Sequence, residues 1–482
     1  MNVLSSVYRY WKEDVILLMK RMRMFKKLGL VACLLTGVMA AEGETAPLSL
    51  SLDDSVQMAL QVHQTIISAD AQAESARWQM KSARRNGGPT LTWNSTGYKV
   101  GGRDYRRADY NSTFNNSLTL SIPLYSGGRI EHTAEQYRYQ ANSADMGTEA
   151  ARQAVRYQTT EAYYELLRRQ YELEVMKKTV EMADNQIHLL NVQFVEGAIA
   201  RSDVLQMEVQ KANYMQDLLG AQGSLAVART TFLSVLGLPE NTDFEVKDGF
   251  DYVPFKMQLE DCLDYALAHR PDKLSADYAV KSAAEQKEAA KHDYRPKVQG
   301  VISKSIVGKD AFGQDRNANW QAGIQLEWKL FDNQMTKATV KAAQMAEKKL
   351  EADAAETERK VLLDTRSAYL NMRAAEEKIS VAKSAVAKAE KSNHLAEVRY
   401  REGVDTILNV MDSMDKLTKA RTNYYAALYE YSIYKAGLDW AMGVPVRMDV
   451  PRYVRAVQEG RSPAQAEERA LISPEMRDRR TE

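Results

Sequence analysis

Six histidines, His63, His132, His188, His269, His292 and His394, are the side chains best able to hold a metal or move a proton near neutral pH. None stands within a helical turn or a short loop of another, so no pair has the spacing that lets two imidazoles reach one ion. Each reads as a helix-surface residue. The two cysteines, Cys33 and Cys262, are far apart, and Cys33 lies in an apolar N-terminal run, so neither a disulfide framework nor a thiolate metal centre follows. Ser380-Val381-Ala382-Lys383 has the S-x-x-K spacing of a serine nucleophile with a lysine base, but it sits inside a helical run without companion motifs. No glycine-rich phosphate loop is present. Asp53-Asp54 and Glu260-Asp261 open helical patterns, where carboxylates cap free N–H groups and complement the helix dipole. These residues predict no catalytic chemistry and no cofactor. Function has to be sought in the elements that carry them.

The chain has 482 residues, with 65 Lys plus Arg against 64 Asp plus Glu, a balance that predicts no nucleic-acid partner. With 24 Gly and only 11 Pro, helix breakers are few, and the chain reads as long helices. The stretch MFKKLGLVACLLTGVMAAEG from Met24 has two lysines, a short apolar run and small residues before Ala41. That is the pattern of a secretory signal peptide, too short to span a bilayer. Residues 1–23 are then either an upstream start-site extension or part of a longer signal, and Leu30-Val31-Ala32-Cys33 is a weak match to a lipoprotein cleavage box. The rest holds no run of about 18 apolar residues, so no transmembrane helix is expected.

The chain repeats itself. QFVEG, with Glu196-Gly197, and RYREG, with Glu402-Gly403, stand 206 residues apart. The same offset aligns IPLYSGG at 122–128 with Trp328–Asn333 and LGLP at 236–239 with MGVP at 442–445. LDDSVQMAL at 52–60 matches LEDCLDYAL at 259–267 with an offset of 207. Landmarks kept in order and register mark an internal duplication rather than generic helical similarity. Each half reads as a helical segment (about 52–86 and 259–293, the second broken at Arg270-Pro271), two strands, one very long helix, a Glu-Gly turn and a shorter helix. The domain expectation is an extension plus signal at 1–40, a first repeat at 41–240, a linker at 241–258, a second repeat at 259–446, and a disordered tail at 447–482.

Two strands carry a strict alternation. SLTLSIPLY puts Leu118, Leu120, Ile122 and Leu124 on one face and Ser117, Thr119 and Ser121 on the other. QAGIQLEWKLF alternates Ala322, Ile324, Leu326, Trp328 and Leu330 with Gln321, Gln325, Glu327 and Lys329. Segments of about ten residues with aromatic ends suit a membrane barrel wall, apolar to lipid and polar to lumen. The alternative is a soluble hairpin packed on a core. The partner strands TLTWNSTGYKV and KVQGVISKSIV alternate less cleanly, and the polar loops at 101–116 and 308–319 suit an exposed outer side. The long helices, ~128–195 and ~334–401, reach on the order of 100 Å each at about 1.5 Å per residue. The returning helix covers half that length and the pre-strand helix the other half, so every repeat makes one continuous and one spliced helix. Four strands from one chain cannot close a membrane barrel, and open edges are not tolerated in lipid, so several copies must join.

The duplicated strand ending SIPLYSGGRIEH, the turns FVEGAIARSDVLQ and YREGVDTILNVMD, and the endings LGLP and MGVP together resemble the TolC-type outer-membrane efflux and secretion channels of Gram-negative bacteria, over about residues 45–446. The resemblance implies a mainly α fold with a membrane β-barrel: a homotrimer with a 12-stranded barrel in outer-membrane lipid, four strands per chain, and a long periplasmic α-helical coiled-coil barrel. It implies a passive duct for an efflux pump or type I secretion system, not an enzyme, that docks a periplasmic adaptor and receives cargo from an inner-membrane transporter. An exported soluble coiled-coil scaffold or adaptor is the alternative. It also implies docking tips at Glu196, Gly197, Glu402 and Gly403, and an entrance gate near them. Ser202 and Asp203 match the gate pair of the first tip and Tyr400 the tyrosine of the second. The usual arginine after the second glycine falls on Asp405, a departure, and two acidic ring positions fall on Asn409 and Asp412, so one acid is kept. Asp412 has Lys416 one turn on, which offers it a partner on its own helix.

Overall fold

The computed structural model describes residues 48–99, 112–250, 252–308 and 318–445. The expected signal segment with Cys33, most of both polar strand loops and the C-terminal stretch expected to be disordered lie outside the described residues. The described chain divides into two compact units. The smaller comprises residues up to Ser49 with Asp243–Glu245, where the Leu48 amide donates to the Asp243 carbonyl at 3.1 Å. All the elements below belong to the larger unit.

Helices α1 (Leu52–Val62) and α2 (Gln64–Arg85) precede strands β1 (Thr90–Lys99) and β2 (Ser112–Tyr125). Helix α3 (Arg129–Val195) has 67 residues, and α4 (Arg201–Leu236) returns beside it. The series then recurs as α5 (Leu259–His269), α6 (Pro271–Lys291), β3 (Lys297–Gly308), β4 (Ala318–Glu327), α7 (Met335–Arg401, again 67 residues) and α8 (Ile407–Ala441). Both long helices start and end 206 residues apart.

Local chemistry sets the boundaries. Ser51 and Asp54 form a capping box at α1: the Asp54 amide donates to Ser51 Oγ at 3.2 Å and the Ser51 amide to Asp54 Oδ2 at 3.4 Å. The sequence predicts a break in the second pre-strand helix alone, at Arg270-Pro271. The first is broken too, at His63, whose φ/ψ of −66/125 nearly repeats the −63/120 of Arg270. No proline forces it. His63 Nδ1 accepts the Thr65 amide at 3.3 Å and restarts the helix as a cap.

The four strands form one antiparallel sheet in the order β1-β2-β3-β4, so the two halves of the chain join through β2 and β3. Register settles the faces that alternation alone left unclear in β1 and β3. Leu91, Leu120, Ile302 and Ala322 form one row, and Trp93, Leu118, Lys304 and Trp320 another on the same face. The opposite face carries Thr92, Thr119, Ser303 and Gln321, then Asn94, Ser117, Ser305 and Asn319. Among the described residues nothing covers the apolar face: Leu91 is 66% exposed and Ile324 74%. Lys304 interrupts it, a residue whose aliphatic stem can lie on apolar surface while the amine reaches water. Strand β4 ends at Glu327, short of the predicted Trp328 and Leu330. Beyond it Trp328 Nε1 donates to the Tyr294 carbonyl at 3.1 Å.

Helix α3 packs against α2 and α4, and also against α6 and α8, while α7 packs against α6 and α8 and, near its middle, α5. No helix among the described residues is long and apolar enough to cross a membrane.

Candidate functional site

The Glu-Gly turns are two copies of one device. A helix ends with its last carbonyls unpaired, and a left-handed residue lets the following amides fold back onto them. Gly197, at φ +74, donates to the Phe194 carbonyl at 3.0 Å while the Ala198 amide reaches Gln193 at 2.9 Å. Gly403, at φ +71, donates to Tyr400 at 3.0 Å while Val404 reaches Arg399 at 2.9 Å. Glu196, Gly197, Glu402 and Gly403 are all exposed, and so are the flanking Val195 and Val404. The turns therefore present acidic and apolar groups together at the ends of the helices.

Beneath them one core joins both turns, built from Leu190 of α3, Val204, Met207 and Tyr214 of α4, Tyr400 of α7, and Ile407, Val410 and Met414 of α8. This core brings Tyr400 and Asp203 together. Tyr400 is 7% exposed, and its hydroxyl has no hydrogen-bond partner among the described residues. Burial, and then the nearby Asp203 charge, push that phenol up from its ordinary value. Ser202 is exposed and donates to Asp203 Oδ1 at 3.2 Å.

Asp405 is not a free charge. It accepts the Thr406 amide at 2.9 Å and the Asn409 side-chain amide, and Arg399 Nε lies 3.8 Å from it. The Asn409 and Thr406 hydrogen bonds hold its carboxyl below the usual carboxylate range. An acid here suits the N-terminal end of α8 through the dipole, a role an arginine could not take. Asn409 is thereby committed to the turn. Asp412 is exposed and pairs with Lys416 at 2.6 Å along its own helix.

Some residues escaped the sequence reading. Asp415 accepts from the Tyr214 hydroxyl at 2.5 Å and from Gln210 Nε2 at 3.1 Å, tying α4 to α8 below the tips. The repeat held a signal: Asp415 stands 206 residues after Val209, an apolar position turned acidic. At the other end of the long helices, next to the sheet, the expectation that each histidine lies on a helix surface fails for His292. It is 7% exposed and stacks on His132 with ring centres 4.7 Å apart, while His132 Nδ1 meets Glu285 at 2.6 Å. Gly128 makes the room, since a Cβ there would stand 2.9 Å from the His292 ring. Burial, then Arg295 and His132, push His292 below the usual histidine range. Among the described residues no group of three His, Cys, Asp or Glu is placed to hold a metal ion.

Comparisons with known proteins bear on the family and the fold. The profile of the outer membrane efflux protein family matches residues 55–238 and 262–444. Outer membrane protein TolC of Vibrio cholerae is 23% identical over 402 residues, 80% of this chain and 89% of TolC. The alkaline protease secretion protein AprF of Pseudomonas aeruginosa is 24% identical over 364 residues, 74% of this chain and 75% of AprF. The crystal structure of CusC, described as forming a transmembrane channel, superposes with a TM-score of 0.72 at 16% identity, covering 84% of this chain and 95% of CusC.

Proposed function

The chain belongs to the outer membrane efflux protein family, and from that premise we propose that three copies close a 12-stranded barrel continued by a barrel of helices. The protein is an outer-membrane channel of the efflux or type I secretion class, in the outer membrane of a Gram-negative bacterium. One observation carries the assembly: the four-stranded sheet is apolar on one face, polar on the other, and, among the described residues, unpaired at the outer edges of β1 and β4. Lipid tolerates neither unpaired edge, so β4 of one copy pairs with β1 of the next. A soluble coiled-coil scaffold would leave the apolar face uncovered.

In this reading cargo moves passively through the lumen. The tips at Glu196, Gly197, Glu402 and Gly403 dock the adaptor of an inner-membrane transporter. Tyr400, Ser202, Asp203, Asp405, Asn409 and Asp412 surround the constriction, with Asp412 supplying the acidic ring. The bond between Asp405 and Asn409 keeps both within one copy, so salt links between copies at this level are fewer than an arginine at 405 would make.

The test is to extract the protein from outer membranes in detergent, weigh it by native mass spectrometry, and record it in planar bilayers. Trimers with discrete conductance are expected. A stable non-conducting monomer would sink the reading.

A further inference from the structure

Where β2 pairs with β3, the ladder ends at Tyr125 and Val298. Two reversals of the chain meet just beyond it. One is the β2–α3 turn through Gly127-Gly128, at φ +72 and +97; the other is the α6–β3 bend, a single 3-10 turn at His292–Tyr294. A Cβ on Gly127 would stand 2.8 Å from Arg295 Cβ, and one on Gly128 2.9 Å from the His292 ring. Arg295 Nη1 donates to the Gly127 carbonyl at 3.0 Å, and Arg129 Nη1 to Asp293 Oδ1 at 3.0 Å. This contact fastens the two repeats to each other at the foot of the sheet.

At its centre His292 is buried against the His132 ring, and its Nδ1 has no hydrogen-bond partner among the described residues. A neutral imidazole tolerates that position. A protonated one needs a counter-charge, because a buried unpaired cation is costly. Among the described residues the carboxylates around it are taken. Glu285 holds His132 at 2.6 Å, Glu288 holds Lys291 at 2.6 Å, and Asp293 is shared by Arg129 and Lys297, each at 3.0 Å. Toward α7, Glu347 is held by Lys287 at 2.6 Å, and on α3 Glu131 accepts from Ser126 Oγ at 2.9 Å. Arg295 adds a positive charge on the bend itself.

The duplication shows that the turn does not require these histidines. Asn333 and Gln334, 206 residues after Gly127 and Gly128, keep a positive φ of +50 and +62. His132, however, corresponds to Ala338, and by the offset of 207 His292 and Glu285 correspond to Arg85 and Trp78. The turn is built twice and the stacked pair once.

We propose that the His132–His292 pair is an acid-sensitive joint, which clamps the start of α3 to the end of α6 at neutral pH and parts when His292 takes up a proton that no free carboxylate answers. The joint lies within one chain, so it stands independently of the trimer. Burial, then Arg295 and His132, hold His292 below the ordinary histidine value of 6.5. The stabilisation it brings is therefore whole above 6.5 and is lost as pH falls from there toward the lowered native value.

Two measurements on the full-length protein in detergent test the joint. Hydrogen exchange at the imidazole C2 position, followed by mass spectrometry, reads the titration of each histidine. His292 should show a midpoint below 6.5 and exchange more slowly than the exposed His394. Backbone amide exchange reads opening. Peptides covering residues 126–132 and 291–296 should open several-fold more often at about pH 5 than at about pH 8, after correction for the intrinsic rate, while peptides from the middle of α3 should not. His292→Phe keeps a flat ring against His132 and cannot be charged, so it should abolish the acid response. A His292 midpoint at or above 6.5, no acid opening of the wild-type joint, or the same acid opening in His292→Phe would each overturn the proposal. Should the variant fail to fold, the two wild-type readings decide it.

Discussion

Lys416 Nζ lies 2.6 Å from Asp412 Oδ2, one turn along the exposed face of α8. An exposed pair at this spacing is worth only about 0.3–0.5 kcal/mol, so the carboxylate is tempered by its neighbour rather than locked to it. If the proposed constriction lies here, Asp412 and Lys416 together set the charge that a permeating ion meets. Asp412→Asn is expected to reduce cation selectivity in planar bilayers. Lys416→Gln should raise it by leaving the acid uncompensated, and Asn409→Asp should strengthen block by trivalent cations. Single-channel behaviour unchanged in all three variants would place Asp412 away from the constriction.

Gly403 and Gly443 share a backbone conformation, with φ of +71 and +72, but differ in surroundings. A Cβ at Gly403 meets open space, whereas one at Gly443 would stand 2.8 Å from Arg270 Cα and 3.0 Å from the His269 carbonyl oxygen. Gly403→Ala should cost only the left-handed backbone penalty, about 1 kcal/mol. Gly443→Ala should cost clearly more, because the obstacle is main chain. Thermal denaturation of the purified protein gives the order, and equal losses would mean that the α5–α6 joint yields. Gly403→Val should lower export while membrane insertion persists, as expected of a docking tip.

Leu120 shares its row with Leu91, Ile302 and Ala322, while the adjacent Thr119 shares its own with Thr92, Ser303 and Gln321. Leu120→Arg should cost roughly 2–4 kcal/mol if it lies near the bilayer midplane. Thr119→Arg, one residue away on the polar face, should leave the yield of membrane-inserted, heat-modifiable protein nearly unchanged. Equal yields for the two variants would refute the assignment of faces.

Cys262 is fully buried. Burial, reinforced by Asp261, pushes its thiol up to about 12 from an ordinary 9.0. Folding thus favours the protonated thiol. That contribution is fully present below pH 9 and is lost as pH rises from there toward about 12. Iodoacetamide at pH 8 should modify Cys262 only after denaturation, as mass spectrometry of the intact chain can check. Rapid labelling of the native protein would show that the α5 core opens.

Much of this architecture was legible because it is written in local periods. Few breakers and helical spacing over 67 residues leave α3 and α7 no other economical conformation, and the glycines of the tips mark where a left-handed turn is cheap. The alternation in SLTLSIPLY assigned the faces of β2 because a strand has a period of two. Neither β1 nor β3 could be assigned that way. Their faces came from the register with β2, a relation between residues such as Ser117 and Ser305 that lie far apart in the chain.

The candidate site divides along the same line. The sequence by itself determined that Glu196, Gly197, Glu402, Gly403 and the residues around them occupy helix turns, since turn geometry is set by a few neighbouring residues. Only the tertiary structure decided what those residues touch. Tyr400 is buried beside Asp203, Asp405 is held by Asn409, Asp415 is taken by Tyr214, and His292 is sealed against His132. Whether a polar side chain is a free charge, a cap or a buried link depends on which surfaces the long helices bring together. That pairing is chosen by summed apolar contact along their length, which no single stretch of sequence contains.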